Sequence, residues 1–99
     1  MKKRLPMSVK NKLKKLGNDL NKARLRRRLK MEVIADRAGI SKATLAKIQK
    51  GDPGVAIGSY VTVISAIGLG SDWLNFADIK NDKVGLLLDE KRIPMRARD

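Results

Sequence analysis

From Val9 onward, apolar side chains return every three or four residues, at Leu13, Leu16, Leu20 and Ala23, with lysines and arginines between them. That spacing draws a narrow apolar stripe along one side of a helix. Ser8 stands where a first helix can be capped. The pattern runs out near Leu29, where Arg26, Arg27 and Arg28 suit the negative end of a helix dipole. Gly17 interrupts the stripe. Glycine disfavours helix by about 1 kcal/mol relative to alanine, so a bend or two shorter segments are predicted there. Pro6 precedes the pattern and leaves residues 1–7 as a flexible basic arm.

Beyond residue 30 the pattern shortens. Met31–Ala38 predicts a second helix with Ile34, Ala35 and Ala38 inward and Glu32 at its positive end. Gly39 supplies a left-handed stop, Ile40 plugs the turn, and Ser41 caps a third helix whose Leu45 and Ile48 face inward beside a slim Ala46. KGDPG at 50–54 is a stop followed by a turn. Ile57–Ile67 predicts a fourth helix, opened at Gly58 or Ser59, with Tyr60, Val63, Ile64 and Ile67 buried. Its run VTVI has strand propensity, but the helical spacing and flanking glycines favour helix. Gly68 and Gly70 end it. Ser71 is placed to cap a fifth helix over Asp72–Ala77, with Trp73, Leu74 and Phe76 as apolar anchors. A last amphipathic piece, Lys83–Lys91, carries Val84, Leu87 and Leu88, weakened by Gly85. The prediction is an all-α chain of five or six short helices, organised as one domain over residues 8–78 and a C-terminal helix and basic tail over 79–99.

Composition narrows the chemistry. With one Trp, one Tyr and one Phe, the core must be aliphatic, and no apolar run approaches the roughly 20 residues that span a bilayer. MKKRLPM leads into NKLKKLGNDLNK rather than an apolar stretch, so no secretory signal is expected. The chain lacks Cys, which is compatible with a reducing cytoplasm. It also lacks His, a Gly-rich phosphate loop and a metal cluster. The acids Asp72, Asp78, Asp82, Asp89 and Glu90 are scattered and read as caps and solvated charges. No enzyme, metal or cofactor is expected.

Charge adds most. Of the net +13, residues 1–30 hold thirteen Lys or Arg against the single acid Asp19, while residues 31–70 carry +1 and residues 71–99 balance. A one-signed field of this kind attracts polyanions: nucleic acid, an anionic membrane surface or an acidic protein.

Residues 31–50 then acquire a function. Two short helices joined by a left-handed glycine, with small Ala35 at the crossing and apolar side chains at 34, 40, 45 and 48, form a helix-turn-helix, whose second helix enters the major groove of DNA. Lys42, Ala43, Thr44 and Lys47 lie on the exposed N-terminal half of that helix and are candidates for base readout. A lysine can donate to guanine, and the Ala43 or Thr44 methyl can meet a thymine methyl. Each lysine can equally serve a phosphate. Arg28, Lys30 and Lys50 flank the helices and fit phosphates, as does the amide at the start of the second helix. Ser41 is first a cap, and its hydroxyl is a further phosphate candidate. Lys2, Lys3 and Arg4 of the arm suit phosphates or a minor groove, or a solvated tail.

IADRAGISKATLAKIQKGD resembles the signature of the lambda-repressor/Cro-like (XRE-type) helix-turn-helix family, and the resemblance spans residues 16–74. It departs at Gln49, where the family's usual acid pairs with an arginine of the first helix, here Arg24. Gln49 can accept a hydrogen bond, but the ion pair is lost. GDPGVAIGSY and the IPMRAR tail look like HipB-type regulators. That implies an operon autorepressor that also binds a HipA-like kinase toxin or its associated antitoxin, with Arg92, Arg96 and Arg98 as candidate contacts. Regulators of this kind dimerise on palindromic operators, in the bacterial cytoplasm at the nucleoid. Here Trp73, Phe76, Leu87 and Leu88 would form the dimer surface, unless Trp73 and Phe76 close the monomer core. Two other readings stand beside this one: a stand-alone regulator without a toxin partner, and a cationic protein that binds RNA or a membrane surface.

Overall fold

The computed structural model describes residues 4–91, which form helices joined by turns and short irregular links, with no strand among them. Five α-helices, α1 (Met7–Arg26), α2 (Met31–Ala38), α3 (Lys42–Gln49), α4 (Ile57–Ile67) and α5 (Lys83–Lys91), are joined by two 3₁₀ turns, Asp72–Ala77 and Ile79–Asn81, between α4 and α5. No helix among the described residues is long and apolar enough to cross a membrane. The arm lysines Lys2 and Lys3 and the tail arginines Arg92, Arg96 and Arg98 lie outside the described residues.

The α1 helix differs from its predicted form at three points. It starts at Met7, because the Pro6 carbonyl already accepts the N–H groups of Val9 and Lys10, both at 3.0 Å. Ser8 therefore sits inside the first turn and is no cap, and Met7 belongs to the helix rather than to the arm. Gly17 does not divide the helix, which is continuous from Met7 to Arg26. It is buried because the end of α3 crosses there: a Cβ on Gly17 would stand 2.5 Å from the Ile48 carbonyl oxygen and 2.6 Å from the Gly51 nitrogen. Gly51, at φ +75°, lies equally hard against the backbone of Leu13. This glycine pair lets two backbones meet where side chains would hold them apart. The helix ends at Arg26, three residues before Leu29, and Arg28 turns the chain with a left-handed φ of 54°.

Four helices close one core. Leu20 and Ala23 of α1, Ile34 and Ala35 of α2, Leu45 and Ile48 of α3, and Tyr60, Val63, Ile64 and Ile67 of α4 are all buried. Ile34, Leu45, Ile48 and Val63 are fully enclosed. Burying such aliphatic side chains contributes about 1.5–3 kcal/mol each before entropy is counted. The turn between α3 and α4 is held from both sides. The Asp52 carboxylate accepts the Gly54 N–H at 2.7 Å, and the Tyr60 hydroxyl donates to the Asp52 carbonyl at 2.7 Å. Burial, and secondarily Asp52, raises the Tyr60 pKa above its ordinary value, which keeps that hydroxyl a donor.

After α4 the prediction of a packed fifth helix fails. Ser71 adopts φ −134°, ψ 7° and makes no cap, and Asp72–Ala77 is 3₁₀. Trp73 and Phe76 are 42% and 66% exposed, so they do not close the core. Lys83–Lys91 is helical as predicted. Gly85 fits because its N–H is capped by the Asp82 carboxylate at 2.9 Å, in space that a side chain would fill.

Candidate nucleic-acid interface

The corner between α2 and α3 follows from three residues. Gly39 takes φ 68°, ψ 32°, and the Ile40 N–H reaches back to the Ala35 carbonyl at 3.0 Å, closing α2. Ser41 is extended, and its hydroxyl oxygen accepts the Thr44 N–H at 3.0 Å, which starts α3. With Leu45 and Ile48 wholly buried, the 3.6-residue period turns Ala43, Lys47 and Lys50 outward on one stripe. All three are exposed.

The candidates for base readout are therefore not equivalent. Ala43 and Lys47 share the outward stripe. Thr44 is half-buried and its hydroxyl accepts a 3.0 Å hydrogen bond from Ser41, so its polar atom is already engaged. Lys42 is exposed but leans toward α2, with its ammonium 3.8 Å from the Glu32 carboxylate. Lys50, expected to flank the helix at a phosphate, falls on the stripe of Ala43 and Lys47. Arg28 and Lys30 are exposed at the corner between α1 and α2, and Lys30 is the residue preceding α2 in extended conformation.

Glu32 changes the expected electrostatics. Its carboxyl is held below its ordinary pKa first by its own backbone amide, then by Lys42. A negative charge thus stands at the start of α2, where a phosphate was expected to meet the free amide, and beside the first residue of α3. The pattern of Glu32 and Lys42 ten residues apart carries no local signal, and only the tight corner brings them together.

Arg24 is the residue that ties this corner to α1. It is 8% exposed, and its guanidinium donates to Gln49 Oε1 at 3.0 Å, the Leu29 carbonyl at 2.7 Å and Asn21 Oδ1 at 2.8 Å. Gln49 accepts the bond expected of it, and its amide also approaches the Met31 sulfur at 3.8 Å. One buried cation thereby locks the last residue of α3, the end of α1 and the link into α2. Its three acceptors are all uncharged. Arg27 is likewise used within the fold, donating to the Ala23 carbonyl at 3.1 Å, and Lys15 pairs with Asp19 at 2.7 Å. Part of the basic third is therefore structural.

Comparison of the chain with protein-family models, with curated proteins and with solved structures finds no match in any of the three.

Proposed function

We propose that the protein is a sequence-specific DNA-binding regulator that reads a major groove with α3. The observation that carries this is the joint placement of a rigidly seated helix that with its following residue exposes Ala43, Lys47 and Lys50, packed on α1, which carries seven basic residues against one acid. The two features divide the work. Base contacts discriminate and phosphate contacts hold. Lys47 and Ala43 would read base edges, joined by Lys42 once DNA competes with Glu32 for its ammonium. Arg28, Lys30 and Lys50 would meet phosphates. Ser41 serves mainly by starting α3.

Within that class, the GDPGVAIGSY and IPMRAR segments favour a HipB-type autorepressor: a homodimer on a palindromic operator in the cytoplasm, joined there by a HipA-like kinase toxin or its antitoxin. A mass measurement with the product of the adjacent gene separates this from a stand-alone regulator.

The DNA reading is tested by titrating a labelled duplex from upstream of the gene, and a scrambled duplex, over a salt series. Preference for the upstream duplex is expected at every salt, with both affinities falling steeply as salt rises. Equal affinity for the two duplexes would overturn it, and preference for RNA or anionic vesicles would install the polyelectrolyte reading instead.

A further inference from the structure

The segment that follows α4 is apolar, acidic and uncovered. Between residues 69 and 88, nine large apolar side chains remain 38–67% exposed, from Leu69 to Leu88. Aromatic side chains bury roughly 150–250 Å² each, and aliphatic ones somewhat less. The exposed fractions thus add to several hundred Å², on the order of the ~800 Å² per partner of a stable interface. Exposed apolar patches of that size mark interaction sites. Val84, Leu87 and Leu88, spaced for one face of α5, are 67%, 59% and 60% exposed. From residue 71 to the end of α5 at Lys91 the chain carries five acids against three lysines, a net −2, in a protein that is otherwise strongly basic.

A complementary surface lies on the same molecule. Two apolar hollows of about 310 and 350 Å³ run along α1 and α4, share Leu16 and Ile64, and meet at Trp73. The first is edged by Arg26 and Asp19 of α1, a helix with seven basic residues and one acid. Neither hollow is lined by a residue of α2 or α3. Within one chain α5 packs on the preceding 3₁₀ turn rather than in these hollows, which leaves stripe and groove both open.

We infer that α5 of one copy seats its Val84, Leu87 and Leu88 stripe in the α1–α4 groove of a second copy, reciprocally, with the mildly acidic segment 71–91 against basic α1. A reciprocal exchange is isologous and closes at two copies. It leaves both α3 helices uncovered. It deepens the proposed function by assigning the dimer contact, but every test below is made without DNA, so either can fail alone.

The chain contains one tryptophan and no cysteine, which makes the test direct. The full chain should sediment as a dimer, and Trp73 emission should shift to the blue with increasing concentration as the groove fills. Leu87→Asp, at an exposed position, should leave the circular dichroism melt of the folded core in place while weakening dimerisation on the order of 100-fold. A mixture of Asp19→Cys and Leu88→Cys chains, joined by a short bis-maleimide, should give the mixed cross-link efficiently. A monomer mass at all concentrations overturns the inference. So does a dimer linked only between two Leu88→Cys positions.

Discussion

Gln49→Glu replaces one uncharged acceptor of the buried Arg24 guanidinium with a carboxylate of nearly the same shape. The Arg24 Nε already stands 3.0 Å from Gln49 Oε1, so this bond is kept, and only the weak approach of the Gln49 amide to the Met31 sulfur is lost. A hydrogen bond to a charged group contributes about 1.5–3 kcal/mol, and the bond from the Arg24 guanidinium already is one; a carboxylate adds the attraction of opposite charges, of which about 1 kcal/mol survives the cost of desolvating it. The substitution should therefore stabilise the fold by about 1 kcal/mol at neutral pH. For a domain of this size that raises Tm by about 4–8 °C. The introduced carboxyl gains a cation on folding, so its folded pKa falls below the ~4.3 of an unperturbed glutamate. Its stabilisation is complete above that unfolded value and disappears as pH falls through the folded one. Gln49 has no ionisable group, so the difference between variant and parent isolates this effect. Urea denaturation of both proteins from pH 3 to 7 measures it. A variant that is no more stable at pH 7, or whose advantage does not fade in acid, would refute the view that Arg24 is a buried cation short of counter-charge.

Three further substitutions probe other links. Gly17→Ala should destabilise by about 1–3 kcal/mol, because its Cβ would overpack the backbone at the end of α3, although propensity alone predicts a gain of about 1 kcal/mol. A denaturation midpoint decides the sign. Arg28→Gly relieves a left-handed φ of 54° and should stabilise by about 0.5–1 kcal/mol, while weakening DNA binding on all sequences and flattening the salt slope by about 1. Thermal melts and salt-dependent titration read the two effects separately. Glu32→Gln should tighten DNA binding and steepen that slope by about 1, because it removes a competing anion and frees Lys42 for a phosphate or base. An unchanged slope would place Lys42 away from the DNA.

What was legible in the sequence was whatever local period and local chemistry decide. Met31–Ala38, Gly39 and Ser41 were readable because a left-handed glycine and a side-chain cap are events of a few consecutive residues, and the same holds for Ile57–Ile67 and Lys83–Lys91. The residues that misled are those whose role depends on distant neighbours. Gly17 reads as a helix breaker until the end of α3 is seen lying across it. Ser8 and Ser71 are good cap residues in the wrong backbone setting, one already inside a turn and the other without the extended ψ that Ser41 has. Trp73 and Phe76 show that an apolar spacing does not say which surface it will meet, the chain's own core or another one. At the candidate site, helical period offered Lys42, Ala43, Thr44 and Lys47 together, and only the structure separates the outward Ala43 and Lys47 from the other two. The pairing of Lys42 with Glu32 needed the corner to be closed, and so did the meeting of Arg24 with Gln49 that the resemblance had implied.

Selection from a random duplex library tests the central claim most directly, since it presumes no operator. The account predicts enrichment of a two-fold symmetric site, bound at least about 10³-fold more tightly than random sequence. Within each half-site, Lys47→Ala should relax preference at one position by about 1–3 kcal/mol. A library that emerges unenriched while the protein still binds all duplexes would contradict it, leaving α3 a structural helix and the basic third a nonspecific polyanion surface.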